Sequence, residues 1–393
     1  LPSAVSDLFD VAVIGTGTAG LTAALGCAQL GLQVALVGPR ARHFAPSDAQ
    51  PWDSRIYALS PGTVELLARL KVWPQVDAAR MQPLLRMRVF GDAGNELQFD
   101  AYGARTPLLA TIGEEAELLR VLAAACAFAQ QITALEANFE ALEPVATAAQ
   151  LVLTDGRRIA ARLVVGADGA HSALRAAAGI NAEVTLYGQS AIVANFACSR
   201  PPEATAWQWF CAEGIVALLP LPGAAVSLVW SAPQPLADAL VALSPTELAL
   251  RVQERSGGVL GTLAPLGPSH AFALRKLAVD RLVAPRIALV GDAAHGVHPL
   301  AGQGLNLGQQ DVSDLLQVLA ARESFRDPGD PVLLRRYARR RAEPIGLMRG
   351  TVDGLARLFA VEHPWARQVR NTGLSLVDAI GPLKRALIRH ALG

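Results

Sequence analysis

The chain has 393 residues, 52% of them hydrophobic, and a formal net charge of +1. This length accommodates two compact domains, since single cores stop growing near ~250 to 300 residues, and the near-neutral balance gives no global reason for a nucleic-acid partner. Cys27, Cys126, Cys198 and Cys211 are far apart and form no C-x-x-C, which argues against a zinc site and a disulfide framework and fits a reducing cytosol.

The N-terminal "LPSAVSDLFD" lacks a basic n-region and an apolar h-region, so no signal peptide is expected. "DVAVIGTGTAGLTAALGCAQLGLQVALVGPR" then reads as a strand over 11–14, a turn at Gly15, an Ala/Leu helix ending near Gly31 and a second strand over 33–37. In this βαβ context Gly15, Gly17 and Gly20 form G-x-G-x-x-G. The first makes the turn, the second lets a pyrophosphate approach the backbone, and the third lets helix pack on strand. The helix N-terminus supplies amide donors to the phosphates. A bulky side chain at Gly15 is expected to block binding by colliding with that pyrophosphate. The acidic residue expected at the end of the second strand to hold ribose hydroxyls is absent, and Gly38-Pro39-Arg40 stands there. Two long uncharged stretches, 11–39 and 214–237, are cut by glycines and prolines and read as several short buried elements, not membrane spans.

"LVVGADGAHSALR", residues 163–175, is an apolar strand entering a turn at Asp168-Gly169. Read alone, it is equally a plain turn followed by a helix cap. "RIALVGDAAHGVHPLAGQGLNLGQQD", residues 286–311, is more specific. Its strand delivers Gly291 and Asp292 at the carboxyl end, where ligands of open α/β sheets bind, and the Asp292 carboxylate is suited to a ribityl or ribose hydroxyl. Gly302 and Gly304 are expected to bring backbone N–H groups against a flat ligand at the start of a helix opening near Leu305, and on a flavin those donors would stabilise the reduced anion. Asp292, His295 and His298 have metal-ligand types, but Pro299 and the glycines do not aim three ligands at one centre, so no metal is expected and His295 reads as a packed loop histidine.

From Pro331 to Gly393 the chain carries 12 Lys/Arg against 4 Asp/Glu, leaving +8 in the tail and −7 in the rest. Apolar residues at mixed three and four spacing predict helices there. Arg335, Arg336, Arg339, Arg340 and Arg341 form a basic cluster expected to face an anionic partner or membrane.

With these segments in order, the chain resembles the group A FAD-dependent aromatic monooxygenases, and more narrowly the UbiH/UbiF-type ubiquinone-biosynthesis hydroxylases. "HPLAGQGLNLGQQD" is similar to the family signature H-P-[LIV]-[AG]-G-Q-G-x-N-x-G-x-x-D through His298, Pro299, Gly302, Gln303, Gly304, Asn306, Gly308 and Asp311. "DSRIYALSPGTVELLARLKVW" resembles its D-x-R-x-x-A-L-S segment and implies Arg55 as a flavin-side residue. "IGEEAELLRVL" resembles the stretch ending in a cofactor-contacting arginine, here Arg120, with Glu115 where asparagine is expected. The resemblance implies an α/β chain with a Rossmann-like FAD-binding domain of the p-hydroxybenzoate-hydroxylase type, an inserted mixed β-sheet substrate domain and C-terminal helices. The expected boundaries are 1–80, 102–179 and 271–330 for the FAD-binding domain, 81–101 and 180–270 for the substrate domain, and 331–393 for the helical segment. The residues expected to hold FAD are Gly15, Gly17, Gly20, Arg55, Arg120, Asp168, Gly291, Asp292, Gly302, Gln303, Gly304, Leu305 and Asn306. Pro299, Gly302 and Gly304 are expected to form the flavin-side pocket, with no acid or base assigned.

The implied reaction is hydroxylation of the ring of a polyprenylated phenol or quinol precursor of ubiquinone through a flavin C4a-hydroperoxide, with O₂ as co-substrate. Only one G-x-G-x-x-G is present, so NAD(P)H would visit the flavin transiently. Trp207, Trp209, Phe210, Leu218 and Leu219 are candidates either for a polyprenyl path or for ordinary sheet packing. The expected setting is cytoplasmic, peripheral to the inner face of a membrane, alone or in a ubiquinone-biosynthesis complex. Two other readings remain open at this point: a hydroxylase of small soluble phenols, and a flavoprotein partner without turnover.

Overall fold

The computed structural model describes residues 8–40, 51–91, 95–144, 147–211, 213–296 and 303–360. Its first sheet is built on a parallel run in the order Ile287–Leu289, Arg158–Gly166, Leu8–Ile14, Val34–Val37, Ile132–Leu135. Side chains alternate along these strands. Val11, Val13, Leu163 and Val165 pack beneath the helices Thr18–Gln29, Glu115–Phe128 and Gln303–Ala320. Ala12, Ile14 and Val164 meet Phe139, Leu151 and Leu153 of an antiparallel pair on the other face. Burial on both faces explains why these strands read as continuous apolar runs. Gly26 lets the first helix approach the Gln303–Ala320 helix, since a Cβ there would overlap Leu316.

A second sheet is mainly antiparallel and is ordered His295–Gly296, His270–Val279, Ala182–Cys198, Ala225–Pro233, Gly214–Leu221, Thr205–Cys211, Arg86–Phe90, Glu96–Asp100. One face packs Phe196, Trp207, Leu218, Leu228 and Trp230 beneath the helices Gln234–Ala242 and Pro245–Arg255. The latter helix opens on a capping box, Ser244 with Glu247. From the opposite face Ala206, Leu221 and Ala225, with Leu219, meet Ile56, Leu84, Ala110 and Ile112. These come from a small third sheet, Ile56–Leu59, Ala110–Glu114 and Met81–Leu84. Met81–Leu84, grouped from sequence with the second domain, therefore pairs with Ala110–Glu114. The five candidates for an apolar path are divided by strand alternation. Trp207, Trp209 and Leu218 lie under the helices, with Trp209 stacked on Phe90 at 5.5 Å, whereas Phe210 and Leu219 lie on the other side. They do not line one path.

The tail begins with a single helix, Pro331–Ala360, which continues through Pro344. Leu333, Leu334 and Tyr337 are buried against the first sheet's helices, and Met348 reaches Val89, Leu97 and Phe210 of the second sheet. The basic cluster does not form one solvent face. Arg341 is buried at 2% side-chain exposure and paired with Asp311, and Arg336 is paired with Glu323 at 2.7 Å. Helical rotation of about 100° per residue distributes five arginines within seven positions around the cylinder, leaving Arg335, Arg339 and Arg340 exposed. Among the described residues no helix is long and apolar enough to cross a membrane.

Candidate active site

The turn after the first strand is held by Gly15, at φ +118°, whose N–H donates to the Val37 carbonyl at 2.8 Å. A Cβ on Gly15 would overlap the Ala167 carbonyl, and one on Gly20 would overlap the Gly15 carbonyl, whereas a Cβ on Gly17 meets nothing within 4 Å. The three glycines thus have different reasons. Gly15 and Gly20 let three backbone segments converge, and Gly17 leaves open space above the turn. This corrects the expectation for Gly15: a side chain there collides with the protein's own backbone before any phosphate is involved. Gly17 is also the N-cap of the following helix and supplies no side-chain cap, so the first-turn amides face that space with the positive end of the helix dipole.

The second segment is drawn to the same edge. Asp168 follows Ala167 directly; its Oδ2 accepts from Leu174 N at 3.1 Å, while its Oδ1 is buried with no hydrogen-bond partner. Arg175 is nearly buried and donates to the carbonyls of Ala170 and Ala293, both at 2.9 Å, binding this turn to the third segment. Burial pushes its guanidinium below the ordinary arginine value, against the pull of Asp168.

In the third segment Gly291 adopts φ +61° and its N–H donates to Asp311 Oδ2 at 2.8 Å. Gly308 belongs to this packing: a Cβ on it would stand 3.0 Å from the Gly291 Cα. One glycine of the small-residue run is therefore explained by helix against loop. Asp292 is exposed to solvent between the buried Gly291 and Ala293. Burial raises its carboxyl above the usual range, against His295, Arg275 and Arg55.

Around Asp292 stand residues that the sequence reading did not single out. Arg275 donates to His171 Nε2 at 2.7 Å. Tyr57 has its phenol pushed upward by burial and then by Glu115 and Asp292, so it remains a proton donor at neutral pH. Arg55, assigned to the flavin side, lies 5.6 Å from the Phe272 ring centre and pairs with Glu115 at 2.8 Å. The unexpected Glu115 therefore supplies a carboxylate that partly neutralises Arg55. Position alone gave no signal for Arg275 or Tyr57, because each becomes a neighbour of Asp292 only in the folded chain.

Two assigned residues are committed elsewhere. Asn306 is buried, and its Oδ1 accepts from Ser60 N and Thr63 Oγ1, both at 2.9 Å, while its Nδ2 donates to Ala58 O at 2.8 Å. With both amide ends occupied, its side chain acts as a strut between the helix Gln303–Ala320 and the Ser60 turn. Arg120 is held by Glu117 at 2.6 Å and the Gln75 carbonyl at 3.1 Å, anchoring the helix Glu115–Phe128 to the Trp73–Gln75 turn. Leu305 packs against the main core. Gly304 has open space at its Cβ position. Pro299, Gly302 and the Gln303 side chain lie outside the described residues.

An FAD cofactor fits this donor set. The open cradle over Gly17 and the uncapped helix suit a pyrophosphate, the unpartnered Asp168 Oδ1 is an acceptor awaiting a donor, and accessible Asp292 is an acceptor for a hydroxyl. All lie at the carboxyl edge of the parallel strands, where such ligands bind.

Residues 9–347 match the family model described as an FAD binding domain. The chain is 35% identical to ubiquinone hydroxylase UbiL of Rhodospirillum rubrum, over 98% of this chain and 89% of that protein. It is also 35% identical to 3-demethoxyubiquinol 3-hydroxylase of Escherichia coli, over 98% of both chains. Among solved structures it is similar to Pseudomonas aeruginosa PqsL in complex with 2-aminobenzoylacetate, with a TM-score of 0.78 at 24% identity, covering 94% of this chain and 100% of that one. Klebsiella pneumoniae HpxO complexed with FAD and uric acid gives a TM-score of 0.74 at 20% identity, covering 97% of each chain. These two structures establish a shared fold.

Proposed function

The chain belongs to the FAD-binding hydroxylases of the UbiH/UbiF-type family, and from that premise we propose that it hydroxylates the aromatic ring of a polyprenylated phenol or quinol on the route to ubiquinone. It is an FAD-dependent aromatic-ring monooxygenase. Bound FAD supplies the activation of O₂ and the delivery of one oxygen atom, with NAD(P)H as the transient reductant. The observation that carries the reading is the convergence of the glycine turn, the Asp168 turn and the Asp292 loop at one sheet edge, in a chain whose relatives act on ubiquinone precursors.

The protein's share of the chemistry is binding, orientation and exclusion of water. Asp292 and Asp168 hold polar parts of the cofactor, and the Gly17 cradle takes its phosphates. Arg55, with its charge tempered by Glu115, stands beside Phe272 at the rim. Ile56, Leu84, Leu219 and Leu221 pack together and join the small sheet to the large one. Asn195 Nδ2 donates to Asp53 O at 2.9 Å and fixes the loop carrying Arg55 to the large sheet. Tyr57, protonated, is one hydrogen-bond donor near Asp292, beside Arg55 and Arg275. A substrate with a polyprenyl tail is met at a membrane surface, for which Arg335, Arg339 and Arg340 of the last helix are exposed cations.

The test is single-turnover oxygenation with ¹⁸O₂ by the purified, FAD-loaded protein. A short-chain polyprenylphenol gaining one ¹⁸O supports the reading. NAD(P)H oxidation yielding only hydrogen peroxide with that compound, but coupled turnover with a small soluble phenol, contradicts it.

A further inference from the structure

The acidic residue that ordinarily ends the second strand and takes the ribose hydroxyls of a dinucleotide is missing here, because Gly38 occupies that place. The neighbouring strand carries one instead. Val34–Val37 pairs in parallel with Ile132–Leu135, with Val37 opposite Leu135, so Gly38 and Glu136 leave the sheet side by side, about 4.8 Å apart by strand spacing. The backbone fixes that relation: the Leu135 carbonyl accepts from Gly38 N at 3.3 Å and from Ala137 N at 2.8 Å. The second bond closes a three-residue turn centred on Glu136, a common way for a strand to end. The Glu136 carboxylate lies 3.8 Å from Arg40 Nε. The glycine turn reaches the same corner, since Thr16 Oγ1 donates to the Pro39 carbonyl at 2.9 Å.

We propose that Glu136 is the ribose-binding carboxylate of this protein, transferred by one strand from the place occupied by Gly38, with Arg40 as its positioning partner. The inference rests on the FAD reading of the site. The Arg40–Glu136 pair is largely exposed, at 70% and 62% side-chain exposure, and such a pair contributes little to stability. It stands at the phosphate-proximal edge of the sheet, where a carboxylate accepts the two vicinal O–H donors of a ribose as charge-assisted hydrogen bonds. A Cβ on Gly38 would stand 2.9 Å from Thr16 Cγ2, so that place is closed to a side chain and the carboxylate comes from the neighbouring strand.

The test is equilibrium binding by the apoprotein, followed by flavin fluorescence, with FAD and FMN as separate probes. FMN lacks the adenosine half, so its affinity reports the rest of the site. In Glu136→Ala, FAD affinity is expected to fall about tenfold or more while FMN affinity and apoprotein melting temperature stay unchanged. Arg40→Ala is expected to produce a smaller loss in the same FAD-specific direction. Unchanged FAD affinity in Glu136→Ala, or equal losses for FAD and FMN, would overturn the proposal. Tight FAD binding by the unaltered protein in the same titration upholds the FAD reading even then. Failure of the unaltered protein to bind either flavin would overturn both.

Discussion

Asp311 receives the His295 ring: Nε2 donates to Oδ2 at 2.6 Å, with both side chains buried. The other carboxylate oxygen accepts from Arg341 Nε at 2.7 Å, and Oδ2 also takes the Gly291 amide. One carboxylate thus joins the Asp292 loop, the Gln303–Ala320 helix and the last helix. Removing one partner of such a buried group leaves a charge uncompensated, at a cost of about 3–5 kcal/mol. Asp311→Ala is expected to lose stability on that scale in chemical denaturation and to release the Gly291–Asp292 loop, lowering FAD occupancy. Asp311→Asn, which preserves shape and some hydrogen bonding, should lose less. Equal stability of Asp311→Ala and the unaltered protein would contradict this role.

Asp292 gives a prediction with opposite signs for stability and binding. Its folded carboxyl titrates above the ordinary carboxylate range because burial disfavours the charged form. The resulting contribution to folding is present below the unfolded value, about pH 4, and is lost as pH rises through the folded value. Asp292→Asn is therefore expected to melt higher than the unaltered apoprotein at pH 7 and equally at low pH, while binding FAD more weakly. Calorimetric scans across pH, paired with flavin titration, read both effects.

The glycines of the first turn separate folding from binding. Gly15→Ala places a Cβ inside the Ala167 carbonyl at a positive φ, and is expected to cost ~3 kcal/mol or more or to abolish soluble expression. Gly17→Val enters open space, so it should fold and fail to retain flavin. Far-ultraviolet circular dichroism and the flavin absorbance ratio distinguish the two outcomes.

Beneath the small sheet, Glu114 is almost fully buried and pairs with Arg80, whose guanidinium lies 4.1 Å from the Trp52 ring centre. Burial pushes the Glu114 carboxyl upward and Arg80 opposes it. Arg80→Ala is expected to destabilise by about 3 kcal/mol and to change the fluorescence of Trp52, with the larger penalty at pH 8, where Glu114 must be charged alone, than at pH 5. A pH-independent loss would assign the effect to packing on Trp52 instead.

What was legible in the sequence was local. The βαβ turn announced itself because Gly15, Gly17 and Gly20 sit at fixed spacing between a strand and a helix, and Asp292 because a buried strand delivers it. Asp311 closes the same signature, yet its binding to Gly291, His295 and Arg341 depends on a helix returning 30 residues later. Five arginines within the seven positions of "RRYARRR" read as one basic face, but the helical turn buries Arg341 and exposes Arg339. Glu136 stood in no motif; only the pairing of Val37 with Leu135 sets it beside the empty position at Gly38. Alternation within Thr205–Cys211 was readable, but which face met the helices was decided by Gln234–Arg255, later in the chain.

The most direct measurement is mass spectrometry of quinone lipids from a bacterial host lacking its own ring hydroxylases, with and without this chain. Restored quinone, or a precursor heavier by one oxygen, is the predicted result, and the deletion that is rescued identifies the ring position. An unchanged lipid profile in cells that contain soluble, FAD-loaded protein would contradict hydroxylation of a polyprenylated ring.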